Sequence, residues 1–379
     1  MTSPFRISVR KQIFSVLFLQ IILLAGMTQN GSATNGYFPH GYGAVNDGLA
    51  GAGTSLPQDS LTVATNPAGL AFLGSRYDAT LIFFNPNRQF TVTGAGFLPP
   101  GTVTSDSKLF EIPSFGANWT LNATSSLGLA IYGNGGMNTD YNAANGSPFG
   151  NSPAGVDLSQ LFVVPTYAVK VNPNHAFGFS PVLAYQMFQV QGLQNLGLAG
   201  MSSDPANLTN NGHANSYGYG AKIGYLGKLL PELNLGLAYH SRTKMTKFSQ
   251  YAGLFAEQGG FDIPSSWNAG ISYQPLPEWT LLLDAQTINY SEIKSIANPF
   301  AAPPPFLGAD NGPGFGWKDM TTIKAGLQWQ SSPDWTWRLG YSNGNQPIGS
   351  SEVLFNILAP GVIEQHATFG FTKKTAADQ

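Results

Sequence analysis

Apolar and polar residues alternate with a period of two along several segments of the C-terminal half of this chain, and this pattern limits the folds open to it. The apolar positions are Leu233, Leu235, Leu237 and Tyr239; Trp267, Ala269, Ile271 and Tyr273; Trp279, Leu281 and Leu283; Ile323, Leu327 and Trp329; and Trp335, Trp337, Leu339 and Tyr341. Successive side chains of a β-strand point to opposite faces, so each segment predicts a strand with one apolar and one polar face. A soluble β-sandwich and a membrane β-barrel are both built from such strands.

Composition favours the barrel. Only 10% of the 379 residues are charged, with a net charge of -2, whereas a soluble domain carries about 25% charged residues. The mean hydropathy is close to zero, and after the N-terminus no segment approaches the roughly 18 consecutive apolar residues of a membrane helix. Barrel strands need only one apolar face. The chain is therefore predicted to be all-β, an antiparallel transmembrane β-barrel.

The N-terminus has the features of an export signal. Basic residues precede an apolar run at residues 13–26, and Gly31-Ser32-Ala33 offers the small-x-small pattern that signal peptidase cuts. The apolar run has about 14 residues, fewer than the roughly 20 that a membrane-spanning anchor helix needs. Residues 1–33 are therefore predicted to be a removed signal peptide, which places the barrel in the bacterial outer membrane.

The residue counts also exclude several kinds of site. The exported chain has no cysteine, so neither disulfides nor thiolate metal sites are possible. No basic cluster stands out, so no nucleic-acid partner is predicted. No cofactor is predicted either.

Short and long connections alternate along the chain. The short turns fall at residues 122–125, 172–174, around 231, 275–277 and 331–333, and the long connections at 96–108, 134–159, 191–214, 249–264, 292–319 and 343–363. Outer-membrane barrels have short periplasmic turns and longer extracellular loops. This assignment predicts about twelve strands, of which the first spans residues 76–94 with an interruption at 85–87 and the last spans 366–372.

Four tryptophans lie beside the predicted short turns. Grouped on one rim, they would form the aromatic girdle of a membrane interface, although each alone is equally compatible with strand packing. They are Trp119, Trp279, Trp329 and Trp335.

A nearly uncharged, Gly-rich stretch separates the signal from the strands, and further Gly-rich motifs follow in a fixed order. They are Gly41-Tyr42-Gly43, Gly51-Ala52-Gly53-Thr54, Asn66-Pro67-Ala68-Gly69-Leu70, the segment from Tyr132 to Tyr141, residues 355–360 and residues 366–370. In these motifs the chain from about 36 to 371 resembles the FadL/TodX family of outer-membrane transporters for hydrophobic compounds. The resemblance implies a barrel of fourteen strands whose lumen is closed by an N-terminal hatch, here residues 34–75, with the barrel at 76–372.

The resemblance also implies a gate. In the family the Asn-Pro-Ala segment of the hatch, here Asn66, Pro67 and Ala68, abuts an inward kink in the third strand, through which ligand leaves sideways into the membrane. The kink candidates here are Gly133, Gly135 and Gly136. The residue chemistry agrees, because Asn and Pro fix turns and clustered glycine permits a bulge. Isolated Asn-Pro and Gly-Gly pairs are nevertheless ordinary turn residues.

The C-terminus departs from the family pattern. A polar tail at residues 373–379 follows the last predicted strand, where the resemblance implies two further strands and a final aromatic residue. Either the barrel closes at twelve strands or the chain is a truncated product, and the unpatterned tail favours truncation.

Apolar residues in the long, weakly charged loops are the candidate ligand-binding residues; packing of the loops on themselves is the alternative. Burial of each ligand CH₂ contributes about 0.8 kcal/mol, so an apolar compound needs no specific contact. Lumen-facing Lys324 and Arg338 could meet a carboxylate, but pairing with lumen acids such as Asp284 is favoured. The candidates are Leu193, Leu196, Leu198, Met201, Leu254, Phe255 and Phe261.

The predicted function is passive uptake of hydrophobic compounds, such as long-chain fatty acids or aromatic hydrocarbons, by a monomer in contact with outer-membrane lipid. The alternative is a general porin for hydrophilic solutes, which needs an open, charged lumen. No enzyme is predicted, since Gly-x-Ser-x-Gly is absent and the five histidines lack metal-ligand spacing. A Ser–His hydrolase at His240 or His175 is a weaker alternative, because a lone strand histidine is usually structural.

Overall fold

A computed structural model of the chain describes residues 34–94, 100–142, 149 and 153–375. The predicted signal peptide, residues 1–33, lies outside the described residues, as do the last four residues of the predicted tail. Within these ranges, none of the helices has both the length and the apolar character needed to cross a membrane.

Strands make up most of the regular structure. In chain order they are β1 (Thr34–Asn35), β2 (Phe38–Pro39), β3 (Arg76–Phe84), β4 (Gln89–Val92), β5 (Gly101–Thr104), β6 (Phe110–Thr120), β7 (Ser125–Tyr141), β8 (Ala154–Asn172), β9 (His175–Gln191), β10 (Ala214–Leu230), β11 (Leu233–His240), β12 (Lys244–Met245), β13 (Ser266–Leu276), β14 (Trp279–Ile288), β15 (Met320–Gln330), β16 (Trp335–Gly344) and β17 (Gln365–Lys373).

The helices are short and lie in residues 34–75 and in the long connections. The α-helices are α1 (Ala44–Asp47), α2 (Gln194–Leu198), α3 (Ala256–Gly259), α4 (Lys294–Ala297) and α5 (Val353–Asn356). The 3₁₀ helices are Ser60–Ala64, Pro67–Phe72, Pro205–Asn207, Ser249–Tyr251, Tyr290–Glu292 and Ser350–Glu352.

One large antiparallel sheet forms the wall. Its order is β3-β6-β7-β8-β9-β10-β11-β13-β14-β15-β16-β17, and β12 pairs with β10 off this path. The twelve strands on the path confirm the predicted antiparallel wall. Leu281 and Leu283 of β14 are exposed, whereas the alternate residues Leu282 and Asp284 are buried on the inner face. Alternation along the sequence has thus become an outer apolar surface and an inner surface that faces residues 34–75.

The long connections follow the predicted alternation with two corrections. The connection predicted at residues 134–159 is mostly strand, because β7 continues to Tyr141 and β8 begins at Ala154. Glycine fits into this ladder with a bulge, so the Gly-rich composition did not end the strand.

The second correction concerns the first wall strand. The predicted strand at residues 76–94 ends as a wall strand at Phe84, and β4 instead pairs with β5 in a separate hairpin. Pro86, which lacks an amide hydrogen, lies in the break.

Tryptophans gather at the short-turn ends of the strands. Trp279 and Trp329 are opposite one another in neighbouring strands and stack with ring centroids 5.2 Å apart. Trp335 stacks on Trp337 at 5.4 Å, and the indole of Trp119 donates a hydrogen bond to the Tyr77 hydroxyl. This is the end of the wall at which the sequence places an interfacial girdle.

The first and last wall strands both contact residues 34–75. The Ser60 amide donates to the Asp78 carboxylate of β3 at 2.8 Å, and the Ala50 amide donates to the Thr368 hydroxyl of β17 at 2.9 Å. Within the described residues no ladder joins β3 to β17. The N-terminal segment therefore links the two edges of the sheet.

Candidate functional site

Residues 34–75, here called the hatch segment, fill the space inside the wall and are mostly buried. Backbone groups of the segment bond to charged side chains of the wall. The amides of Gly53 and Thr54 donate to the Asp284 carboxylate at 2.9 and 2.8 Å. The ammonium group of Lys324 donates to the His40 carbonyl at 2.9 Å. These contacts satisfy polar groups that would otherwise be costly to bury.

Asn66 joins three parts of the molecule through one side-chain amide. Its Nδ2 donates to the Thr54 carbonyl within the hatch segment at 2.8 Å and to the Tyr225 carbonyl of β10 at 2.9 Å. Its Oδ1 accepts from the Ala68 amide at 3.1 Å and so caps the 3₁₀ helix Pro67–Phe72. Asn66 is fully buried.

Two wall glycines receive the Asn-Pro-Ala segment. Gly178 of β9 and Gly224 of β10 are opposite one another in the sheet. A Cβ atom at Gly178 would overlap the backbone of Pro67 and Ala68, and one at Gly224 would overlap the Asn66 side chain. Only glycine permits this close approach, so the pair forms a cradle for the segment.

The glycines of β7 lie elsewhere on the wall. The β7–β8 ladder shifts register between Gly133 and Gly135, which is a bulge at the predicted kink. From the hatch segment, the Tyr37 carbonyl accepts a hydrogen bond from the Gly136 amide at 3.0 Å. Asn66, Pro67 and Ala68 instead lie in the cradle of β9 and β10. The structure therefore does not bring the two implied halves of the gate into contact.

The wall is incomplete beside this bulge. The β6–β7 ladder begins with Thr120 opposite Ser126 and ends with Phe115 opposite Ile131, although β7 continues to Tyr141. Among the described residues no ladder joins residues 110–114 of β6 to residues 132–139 of β7, and we call this gap the slit. At its lower end the Ile112 side chain faces Gly133.

A cavity of about 180 Å³ opens beside the slit. Its lining joins six distant parts of the chain: the hatch segment, the end of β3, the residues around the start of β4, the middle of β7, the connection between β14 and β15, and the loop before β17. Among its lining residues are Phe84, Arg88, Met137, Trp317, Val362 and Ile363.

The predicted ligand-binding residues gather above the hatch segment, with one exception. Leu193, Leu196, Leu254, Phe255 and Phe261 are buried in one apolar cluster, and partly buried Met201 packs against it. Leu198 is 86% exposed and lies outside the cluster. It is the one predicted residue that points to solvent.

Aromatic rings extend this cluster from the loops to the hatch segment. Phe255 contacts Phe261 with ring centroids 4.7 Å apart, and Phe261 lies 6.4 Å from Tyr37. Tyr37 in turn lies 5.3 Å from Tyr290, whose hydroxyl donates to the Asn35 carbonyl at 2.7 Å. Burial of the Tyr290 side chain raises its pKa well above the usual range, so the hydroxyl remains a donor.

The lumen cations do not pair as the sequence indicated. Lys324 is opposite Asp284 in the sheet, but its hydrogen bond goes to the His40 carbonyl. Arg338 donates to Gln328, Thr372 and Gln58. Within the described residues neither cation forms an ion pair with Asp284. The two hatch-segment amides bond to Oδ2 of this carboxylate, and among the same residues its Oδ1 atom has no hydrogen-bond partner.

The two histidines of the hydrolase alternative bond to hydroxyl groups. His175 Nδ1 is 2.7 Å from the Tyr225 hydroxyl, and His240 Nε2 is 3.2 Å from the Thr243 hydroxyl. In the part of the chain that the structure describes, no group of three or more His, Asp or Glu side chains could hold a metal ion.

The sequence matches a protein-family model over residues 28–360, most of the chain. That family is described as outer membrane protein transport protein (OMPP1/FadL/TodX). The chain belongs to this family. As a FadL/TodX family protein with this wall, it is a β-barrel protein of the outer membrane.

Solved structures of FadL/TodX family proteins share the fold. The toluene transporter TodX of P. putida matches with a TM-score of 0.68 and 18% identity, over 88% of this chain and 89% of that one. A FadL homologue of Pseudomonas aeruginosa matches with a TM-score of 0.65 and 15% identity, over 90% and 88%. The Ralstonia pickettii toluene transporter TbuX matches with a TM-score of 0.60 and 16% identity, over 80% and 86%. No curated protein matches by sequence.

Sequence reasoning missed the cradle, the slit and Arg88. The cradle had a signal, because Gly178 and Gly224 occupy inward positions of alternating strands. The slit had a weaker sequence signal in Pro113 of β6, because proline cannot donate a ladder hydrogen bond. No local sequence signal points to Arg88, since its surroundings come from several segments that are far apart in the chain.

Proposed function

We propose that this FadL/TodX family protein is a passive channel for hydrophobic compounds, in which ligand is collected among the loops, passes the hatch segment and leaves sideways through the slit. The β6–β7 slit carries the proposal. A wall without a ladder at this level offers an apolar solute a path to lipid that breaks no backbone hydrogen bond between the two strands. A solute that leaves into lipid also avoids water, which favours transfer by about 0.8 kcal/mol per CH₂.

The contacts of Tyr37 support coupling between the hatch segment and the slit. The hatch segment contacts the unpaired edge of β7 at the bulge, where the Gly136 amide donates a hydrogen bond to the Tyr37 carbonyl at 3.0 Å. Near its end, the Asp140 amide donates to the Ser105 hydroxyl at 2.9 Å. Displacement of Tyr37 would therefore uncover the bulge while Ser105 still holds the end of β7.

The ligand class rests on the apolar lining and on the relatives. The loop cluster is aromatic and aliphatic, and related structures are described as toluene transporters or a monoaromatic hydrocarbon channel. Aromatic hydrocarbons are therefore the first ligands to test. Long-chain fatty acids would also be bound by apolar contacts, and their uptake should be measured for comparison with that of aromatic hydrocarbons. The unit of transport is one chain.

A reversible cross-link tests the lateral route. The chain has no cysteine, and a Cβ atom at Gly133 would lie 3.2 Å from Ile112 Cγ2. The double variant Ile112→Cys, Gly133→Cys should form a disulfide across the slit. In cells lacking other such channels, its oxidation should reduce uptake of labelled toluene at least fivefold, and a reductant should restore uptake.

The matched control is Phe115→Cys, Ile131→Cys, which cross-links the same two strands where the ladder already pairs them. Its oxidation should leave uptake unchanged. A second variant, Asn66→Asp, keeps the cap on Ala68 but sets a carboxylate against two carbonyls, and should weaken the hold on the hatch segment. Heat-modifiable gel migration must show insertion of every variant. Undiminished toluene uptake by the oxidised slit variant would refute lateral release.

A further inference from the structure

Arg88 lines the cavity beside the slit, and none of the residues that the structure describes neutralises its charge. Its Nη1 atom is buried and has no hydrogen-bond partner. Among the described residues no carboxylate forms an ion pair with it, and the internal stretches 95–99, 143–148 and 150–152 contain no Asp or Glu. The Arg88 side chain as a whole is only partly buried, but a cationic nitrogen enclosed without an anion is uncommon, because burial of a charge is costly unless the charge is paired.

The fold holds this guanidinium in place. It lies 5.6 Å from the ring centroids of both Phe84 and Phe110, which are opposite one another at the end of the β3–β6 ladder. The Arg88 carbonyl accepts from the Ser105 amide at 2.9 Å and fixes the turn. Burial lowers the pKa of Arg88 to about 10, so the group is charged at neutral pH. The two rings orient the cation but supply no hydrogen-bond acceptor.

The rest of the cavity has an apolar side and a few neutral polar residues, Thr34, Asn87, Gln89 and Asn138. Met137, Trp317, Val362 and Ile363 line it together with Phe84. An apolar cavity of about 150 Å³ holds a benzene molecule, so about 180 Å³ suits one substituted ring. The cavity thus combines one unpaired cation with space for a small apolar body.

We propose that this cavity binds a small apolar carboxylate, such as a substituted benzoate, with its carboxylate on Arg88 and its ring against Met137 and Trp317. The inference rests on the proposed function, since it names the ligand class of a site on the lateral path. A carboxylate matches the guanidinium geometry and forms charge-assisted hydrogen bonds. A neutral hydrocarbon of the same shape fills the cavity without that bond.

A matched pair of probes tests the site. p-Toluate and p-xylene share one ring and differ by the carboxylate, and calorimetry on the full chain in detergent measures the Kd of each. Arg88→Gln should weaken p-toluate binding at least tenfold and change p-xylene binding less than twofold. Arg88→Lys keeps the charge but loses the planar guanidinium, so it should bind p-toluate more weakly than the native chain and more tightly than Arg88→Gln. The control Lys247→Gln removes a charge from an exposed loop residue and should change neither.

A second variant locates the probes. Val362→Phe adds bulk to the cavity wall from an exposed loop residue and should weaken both probes. If p-toluate binds Arg88→Gln as tightly as the native chain, or if both probes weaken equally there, the proposal is overturned. If Arg88→Gln does not insert, unchanged p-toluate binding by Val362→Phe overturns the proposal and weakened binding supports it.

Uptake in cells separates this site from the proposed transport. If cells take up labelled p-xylene but p-toluate binding does not depend on Arg88, the transport proposal is supported and the Arg88 site is refuted. If p-toluate binding depends on Arg88 but cells take up neither probe, the site is supported and the transport proposal is refuted.

Discussion

Single side chains hold the hatch segment by satisfying backbone groups far away in sequence. Asn66 bonds to Tyr225 across 159 positions, and Asp284 bonds to Gly53 across 231. Such hydrogen bonds contribute about 1 kcal/mol each when made, and leaving a buried partner unsatisfied costs more. The hatch segment is therefore held by several modest contacts, which is compatible with the movement that the proposed function requires of it.

Asp59 makes the hold on the hatch segment depend on pH. Burial, and then repulsion from Asp78, raises the pKa of Asp59 to about 6 from an ordinary 3.8. The folded chain thus holds the Asp59 proton more tightly than the unfolded chain. Stability from this group is complete below about pH 4 and is lost as pH rises through about 6.

We therefore expect Asp59→Asn to stabilise the folded chain at pH 8 by about 2 kcal/mol and to change little at pH 4. Asparagine keeps an oxygen that can accept from the Leu61 amide, so the cap on Ser60–Ala64 survives. The melting temperature in detergent at pH 4 and 8 is the measurement, and Asp334→Asn in an exposed turn is the control. A variant as pH-dependent as the native chain would show that Asp59 is not responsible.

Neighbouring strands act together where they receive the hatch segment. Gly178 and Gly224 form one cradle across β9 and β10, and the 3₁₀ helix Pro67–Phe72 fits against it. At the slit, neighbouring strands do not act together. There β6 still pairs with β3 and β7 still pairs with β8, but no ladder joins β6 to β7 among the described residues. The wall thus has one region, at β9 and β10, that packs tightly on the hatch segment, and another, between β6 and β7, where backbone pairing is missing.

The cradle should not tolerate a single methyl group. In Gly178→Ala the new Cβ would overlap the backbone of Pro67 and Ala68, and overpacking of this kind costs about 1–3 kcal/mol. The expected result is a loss of that size in the free energy of unfolding in guanidinium. Gly74→Ala, at a glycine with no atom within 4 Å of its Cβ position, should lose far less. Equal losses would mean that the cradle is unimportant.

At the scale of the whole molecule, the wall places all long connections at one end and all short turns at the other. Because the chain has no cysteine, introduced cysteines report orientation without background. Leu198→Cys in the connection after β9 should react with a membrane-impermeant maleimide on intact cells. Ala123→Cys in the turn after β6 should react only after the outer membrane is permeabilised. The reverse labelling would mean that the barrel orientation is wrong.

The sequence was sufficient for most strands of the wall and for the order of its connections, but not for the ends of β3, β7 and β8. Alternation in β14 and β15, for example, depends only on the two faces of a strand and is visible within about ten residues. The low charge of the long loops also pointed to apolar loop residues that are buried in the structure, such as Phe255 and Phe261. It did not distinguish exposed Leu198 from them, because burial in a loop depends on what covers it.

The sequence by itself determined the all-β wall, its approximate strand number and the family, because period-two patterning and ordered Gly-rich motifs are local properties. Only the tertiary structure decided that Asn66, Pro67 and Ala68 lie on β9 and β10 rather than at the β7 bulge. It also decided where, among the described residues, the wall lacks a ladder and that no carboxylate among them pairs with Arg88. The physical reason is that each of these depends on contacts between segments far apart in the chain, which no local pattern encodes.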